Sequence, residues 1–399
     1  MNKILIWNKG LTLNNTGGPA GYLYNIHSYL KEHPADEISF YSDVKGGDEY
    51  IIVERGLKRK LKDIIAGCLG SLLYITRLFS QLTRNNELSR EEIEMLKTFD
   101  FVHFHTFVDA RSYLKSIRKN VPNIKVILTT HTPEPYCDEY CGTFGISWIL
   151  KIPGMRNTCL RKETQCINDV DYLMFPVPQV KEVYASKSSS YEKALKEADH
   201  KTFYVPTAII DIVNSNNEGY LESKIKDNSL RVCYVGRHCA VKGYDFLKKI
   251  ARKAFSMKLD VTFVIGGSQN GISKLDDDRW IELGWVNTVN LLREIDVFVL
   301  PNQQTYYDLI LLEVIRSGKP VLLTSTGGNK YFKKYQSSGL LFCDYGNVKQ
   351  ACEQLGKLIS YKKQGKLSDL GQENRNLFEK TSTLPVYVER YLAEIDKLK

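Results

Sequence analysis

No stretch of about eighteen residues in this chain is both uncharged and predominantly apolar, so no membrane-crossing helix is expected. A basic leader with a small-residue cleavage site is also missing, because the chain runs almost at once into Ile4-Leu5-Ile6-Trp7; the expected compartment is the cytoplasm. The nine cysteines, an odd number without Cys-x2-Cys pairs or a small disulfide scaffold, are expected to be reduced and mostly buried thiols. Zinc-finger spacing, an aromatic-basic RNA-binding pattern and a helix-turn-helix signal are all lacking, which argues against nucleic acid as a partner. Internal repeats and long low-complexity tracts are absent too. The segment Gly17-Gly18-Pro19-Ala20-Gly21 lacks the Gly-x-Gly-x-x-Gly spacing, so a dehydrogenase reading is poor.

What is present is length, cationic charge and alternation. A chain of 399 residues exceeds one ordinary α/β core and implies two domains. A net charge of +9 attracts anions without choosing among nucleotides, phospholipids and nucleic acids. Short apolar or β-branched runs recur at 3–7, 38–41, 101–105, 125–129, 172–175 and 203–205, separated by longer amphipathic segments. After a polar stretch at 211–228 the pattern resumes with strands expected at 231–235, 261–265, 296–300, 321–323 and 340–342, and helices at 244–255, 309–317 and 348–361. Two doubly wound α/β domains follow, with boundaries at 1–210 and 229–380, a linker at 211–228, and a helical tail at 381–399 that is expected to return to the first domain. In open parallel sheets ligands bind beyond the carboxyl ends of the strands.

Three post-strand loops in the second half carry chemistry. Gly236-Arg237-His238-Cys239-Ala240-Val241-Lys242-Gly243 presents a guanidinium and an ammonium on one short loop, and both could reach a diphosphate; the bland alternative is two solvated cations beside a turn. The segment from Asp296 through Leu300-Pro301 to Lys319-Pro320 is strand, loop, helix, strand. Glu313 sits about one and a half turns into that helix, where a carboxylate could accept two ribose hydroxyls or merely favour the helix dipole. Third, Gly327-Gly328 after a strand would let a ligand approach the backbone, although a lone glycine pair is weak.

In this order the segments resemble the retaining GT-B glycosyltransferases, specifically family four, over essentially the whole chain. The matching residues are Gly236-Arg237, Lys242-Gly243, Leu283-Gly284-Trp285-Val286, Leu300-Pro301, Glu313 and Gly318-Lys319-Pro320. The resemblance implies two Rossmann-like, doubly wound domains facing an interdomain cleft. It implies that Arg237 and Lys242 bind the donor diphosphate, that the backbone at Trp285-Val286 lies along the base, and that Glu313 holds the ribose. Gly17-Gly18 resembles the glycine loop that approaches the diphosphate from the N-terminal domain. The first glutamate of the family's Glu-x7-Glu motif falls on Thr305, so the amides of Tyr306, Tyr307 and Asp308 are left to bond the sugar, and Leu309 is counted with them in the donor site. His131 resembles the family histidine that lines the donor-sugar pocket, with a strand-capping histidine as the alternative. His105 and Asp109 are acceptor-side candidates, and His103 shares the face of His105 but could simply pack. No metal and no cofactor beyond the nucleotide-sugar co-substrate are expected.

Two signals stay open. Cys137, Cys141, Cys159 and Cys166 could ligate zinc or be free thiols. The cationic run Arg55 to Lys62, followed by apolar residues up to 75, could dock on an anionic bilayer from the inner face, bringing the enzyme to a lipid-linked acceptor, or be an ordinary helix start. The expected reaction is retaining transfer of a sugar from a nucleotide-diphosphate donor to a hydroxyl of a glycan or lipid-linked acceptor, in bacterial surface polysaccharide or glycoconjugate synthesis. Its rivals are a non-catalytic subunit that binds nucleotide sugars or stabilises a partner, and a nucleotide-sugar epimerase.

Overall fold

A computed structural model describes residues 2–14, 18–45, 58–132, 134–212, 221, 228–267 and 274–398, with side chains from Gly70 onward in the helix that begins at Lys58. The chain divides into two compact units: Met1–Pro176 with Lys181–Val205 and Glu389–Lys399, and Val177–Val180 with Pro206–Val388.

The first unit is built on six parallel strands, β1 (Ile4–Trp7), β2 (Ile38–Phe40), β3 (Phe101–Phe104), β4 (Lys125–Leu128), β5 (Tyr172–Phe175) and β6 (Thr202–Tyr204), in the order β2-β1-β3-β4-β5-β6. All four residues of β1 are buried, as expected for a parallel strand covered on both faces. Trp7 lies among Tyr41, Phe104 and Tyr113, with ring centroids 4.7, 5.5 and 4.9 Å away. After β3 the chain enters a helix at once, because the Thr106 hydroxyl accepts the Asp109 N–H and caps Phe107–Asn120. The strand order reverses between β1 and β3, so the loops leaving these two strands part and open a crevice at their carboxyl ends.

The second unit repeats the plan with β7 (Leu230–Val235), β8 (Val261–Gly266), β9 (Trp280–Gly284), β10 (Val297–Leu300), β11 (Val321–Thr324) and β12 (Leu340–Cys343), all parallel, in the order β12-β11-β10-β7-β8-β9. Its reversal lies between β7 and β10. The helix Tyr244–Ser256 buries Tyr244, Phe246, Leu247, Ile250, Ala251, Ala254 and Phe255, the spacing of one helical face. Each large apolar side chain so buried contributes about 1.5–3 kcal/mol before entropy is charged against it.

The expected strands and the helices at 244–255, 309–317 and 348–361 are found within a residue or two of their predicted ends, while the tail expected to be helical over 381–399 is a helix over Leu384–Ile395. β9 escaped the sequence reading because Glu282 interrupts a short run that is only partly buried. The helix Leu367–Thr381 and the 3₁₀ segment Gly327–Tyr335 escaped it as well. Most of the 211–228 stretch lies outside the described residues, but its described parts are fastened to the second unit. Arg375 grips Asp211 with both terminal nitrogens at 2.7 and 2.6 Å, Arg316 donates to the Ile210 carbonyl at 2.8 Å, and the Leu221 N–H reaches Glu294 at 2.6 Å. The final helix, Leu384–Ile395, ends within the first unit, where the Tyr391 hydroxyl meets His103 Nδ1 at 2.8 Å.

Candidate functional site

At the β7/β10 switch point two loops are laced together. The Gln303 N–H donates to the Val241 carbonyl at 3.0 Å. Gly243, with φ +70°, lies so close that a Cβ there would overlap the Pro301 carbonyl oxygen. Only glycine satisfies both the left-handed backbone and the contact. That approach sets the reach of its neighbour: Lys242 Nζ lies 2.7 Å from Asp308 Oδ1, and Asn302 Nδ2 donates to Asp308 Oδ2 at 2.7 Å. Asp308 occupies the N-cap position of the helix Leu309–Arg316 without using its side chain as a cap.

Arg237, on the same loop as Lys242, is exposed. Its carbonyl accepts the Tyr234 hydroxyl at 2.8 Å. Burial pushes the Tyr234 phenol up, Cys239 and Asp308 push it further, and Arg237 pulls it back, so Arg237 and Asp308 act electrostatically on one phenol. Gly236 is held by its N–H on the Gly266 carbonyl at 3.2 Å, and a Cβ there would sit 2.9 Å from the Tyr234 hydroxyl.

The glycine pair Gly327-Gly328 corrects one expectation. What approaches it is the protein's own chain, since Cβ atoms there would overlap the carbonyl oxygens of Thr305 and Tyr306. The pair clamps the loop after β10 and does not leave its backbone open for a ligand. Thr305, Tyr306 and Tyr307 are buried, while Asp308 and Leu309 are half-buried. The Thr305 hydroxyl is enclosed with no hydrogen-bond partner. Glu313 is half-buried; burial raises its carboxyl above the usual range and Arg316 offsets part of that. Val286 is buried against Gly266, but Trp285 projects with 85% of its surface exposed, after Gly284 at φ +69°.

The crevice of the first unit is chemically different. Gly17 lies outside the described residues, and Gly18, at φ +63°, opens the helix Gly18–Glu32. Tyr22 of that helix places its ring 4.8 Å from His131 and 5.5 Å from His105. His105 Nδ1 and His131 Nε2 are 3.0 Å apart, and the His103 ring lies tilted against His105 at 4.1 Å while bonding Thr129 at 2.8 Å. Burial drives all three imidazoles down, His103 and His131 to about 3, so they are neutral at physiological pH. His131 is half-buried, whereas His105 is 3% exposed and communicates outward through the His131 ring. Asp109 is half-buried, takes the Thr106 hydroxyl at 2.6 Å, and is raised by burial.

Cys137, Cys141, Cys159 and Cys166 are buried free thiols, and Cys137 and Cys159 are hydrogen-bonded to each other. Above them Glu163 accepts the N–H groups of Tyr136 and Cys137 at 2.9 and 3.0 Å, supplying the start of the helix Tyr136–Thr143 with the cap that Pro135 lacks. Burial raises Glu163 to about 7. Among the described residues no group of three or more His, Cys, Asp and Glu is placed to hold a metal ion, and no helix is long and apolar enough to cross a membrane. Sequence reasoning missed Asn302, Tyr22, Tyr391 and the Asp308 carboxylate; Tyr22, Tyr391 and Asp308 gain their roles from partners far along the chain, and Asn302 gains its role only through Asp308.

Residues 229–360 match the model of the family Glycosyl transferases group 1. The similarity covers the greater part of the second unit. The matched segment contains Arg237, Lys242, Asp308 and Glu313, hence the whole switch-point arrangement of the second unit. Over 270 residues the chain is 24% identical to an uncharacterized 41.2 kDa protein in the cps region of Klebsiella pneumoniae, covering 61% of this chain and 67% of that protein. It is 28% identical over 189 residues to the Escherichia coli UDP-Gal:alpha-D-GlcNAc-diphosphoundecaprenol alpha-1,3-galactosyltransferase, covering 40% of this chain and 49% of the relative. The chain thus spans about two thirds and about half of these relatives.

Among solved structures, sucrose-phosphate synthase from Thermosynechococcus elongatus superimposes with a TM-score of 0.63 at 13% identity, over 100% of this chain and 99% of that one. Anabaena HepE in complex with UDP gives 0.57 at 13% identity, over 99% and 100%. The fold is that of the GT-B glycosyltransferases.

Proposed function

We propose that the chain is a retaining, metal-independent glycosyltransferase that moves a sugar from a nucleotide-diphosphate donor to a hydroxyl acceptor in bacterial surface polysaccharide or glycoconjugate synthesis. One observation carries the reading: the loop of Arg237 and Lys242 is laced to the loop of Asp308 at the strand-order reversal of the second unit, inside the segment similar to the group 1 glycosyl transferases. Crevices at such reversals are where α/β sheets bind nucleotides. As the anomeric C–O bond of the donor breaks, the departing diphosphate gains negative charge, which Arg237 and Lys242 stabilise. The acceptor hydroxyl attacks from the leaving-group face, and its proton passes to a phosphate oxygen. Glu313 holds the ribose, the backbone at Trp285-Val286 follows the base, the amides from Tyr306 to Leu309 bond the sugar, and neutral His131 lines its pocket.

Thermal-shift measurements with uridine, guanosine and adenosine diphosphate sugars identify the donor. Arg237→Ala is then expected to abolish turnover at unchanged melting temperature; retained turnover refutes the assignment.

A second reading, a non-catalytic subunit that binds nucleotide sugars, is favoured by Thr305, whose enclosed hydroxyl leaves that position without a carboxylate. Calorimetric binding of a nucleotide sugar with neither transfer nor hydrolysis across an acceptor panel would support it.

The acceptor in the principal reading is a glycan or a lipid-linked glycan, which brings the enzyme to the inner face of the cell membrane. The helix Lys58–Thr83 carries Lys58, Arg59, Lys60 and Lys62 in its first turns and exposes Leu72, Leu73 and Phe79 further along. Tyr74 of this helix stacks on Phe144 at 4.3 Å, and four residues beyond Phe144 the exposed Trp148 is followed by exposed Ile152. Basic residues beside exposed apolar ones suit an anionic bilayer surface. The protein is expected to float with phosphatidylglycerol vesicles and not with phosphatidylcholine alone; no lipid dependence ends this part of the proposal.

A further inference from the structure

The lysine assigned to the donor diphosphate already has an anion. Lys242 Nζ and Asp308 Oδ1 are 2.7 Å apart, with 23% and 14% of their side chains exposed, so the pair is only partly screened by water. Asn302 fixes the other Asp308 oxygen at 2.7 Å and is itself fully buried. Asp308 therefore cannot swing aside without leaving the Asn302 amide unpaired in the interior, a costly state. Nor is the carboxylate occupied in capping the helix it precedes. Its two oxygens are spent on holding Lys242 and on being held by Asn302.

We propose that Asp308 is an internal counter-anion that competes with the donor diphosphate for Lys242. Binding of the diphosphate moves the ammonium from Asp308 to a phosphate oxygen, and departure of the nucleotide product returns it. The carboxylate thus weakens nucleotide binding in the resting enzyme and aids product release, a specificity and turnover device built from a residue whose sequence position gave no hint of it. This inference rests on the reading of Lys242 as a diphosphate ligand.

The test is a double-mutant cycle with UDP, and with ADP and GDP in parallel, read by isothermal calorimetry on the full chain. Asp308→Asn keeps the shape and the Asn302 contact but removes the charge. It is expected to tighten nucleoside diphosphate binding by about tenfold and to steepen its salt dependence, because a cation has been uncovered. It should also slow product release relative to binding. Lys242→Ala should weaken binding, and in that background Asp308→Asn should have little further effect on affinity. If Lys242→Ala weakens binding while Asp308→Asn leaves affinity unchanged or lowers it at an unaltered melting temperature, the counter-anion role is overturned and the diphosphate assignment stands. If Lys242→Ala changes nothing, the diphosphate assignment and the counter-anion role fall together.

Discussion

The two units share one plan, a six-stranded parallel sheet whose order reverses beside its first strand, yet they fill the crevice at that reversal with opposite chemistry. In the second unit it holds an exposed guanidinium, an ammonium and a carboxylate, clamped by glycines that leave the backbone no room. In the first it holds aromatic rings and three imidazoles that burial keeps uncharged. Topology thus places a crevice but does not say what binds there; the side chains do. Charge concentrated in one unit is suited to phosphate, and neutral rings in the other are suited to sugar hydroxyls.

The sharpest way to break this contrast is to remove the exposed cation. Arg237→Ala should cost at least about a hundredfold in turnover, the scale of losing one group that stabilises transition-state charge. No substitution among the first unit's histidines should match it in steady-state kinetics. Gly243→Ala tests the clamp instead of the charge: an added methyl meets the Pro301 carbonyl at a left-handed φ, so the second unit should lose about 2–4 kcal/mol in chemical denaturation.

A third test uses pH. Glu163 titrates near 7 in the folded first unit, above its unfolded value, so its protonated form stabilises the fold below about 4.5 and that contribution disappears as pH rises through about 7. Glu163 by itself should make the fold more stable at pH 5 than at pH 8 by on the order of 2 kcal/mol, and Glu163→Gln should remove that contribution, read as the difference between the pH dependences of the variant and the parent protein. The histidines act in the opposite sense: their folded values are depressed, so their contribution is present above about 6.5 and is lost as pH falls toward about 3. The smallest effect is expected at His131. His131→Ala should lower kcat/KM by about tenfold, the loss of one neutral hydrogen-bonding group, while leaving UDP affinity near its original value, since the proposed diphosphate ligands belong to the other unit. An equal loss of UDP affinity would erase the proposed division of labour.

Much of this was legible in the residues. The β-branched runs marked nearly every strand, the helical spacing marked Tyr244–Ser256 and Leu309–Arg316, and the Arg237–Lys242 loop stood out as a pair of cations between a strand and a helix. The sequence by itself determined the local structure and the chemical inventory, because periodicity and turn residues act between near neighbours. It could not reveal that Gly327-Gly328 backs onto Thr305-Tyr306, nor that His103 meets Tyr391 across 288 positions and Lys242 meets Asp308 across 66. Those partners were decided by strand order: a parallel sheet sets side by side loops that the chain separates widely, and only there do charge, burial and hydrogen bonding act together.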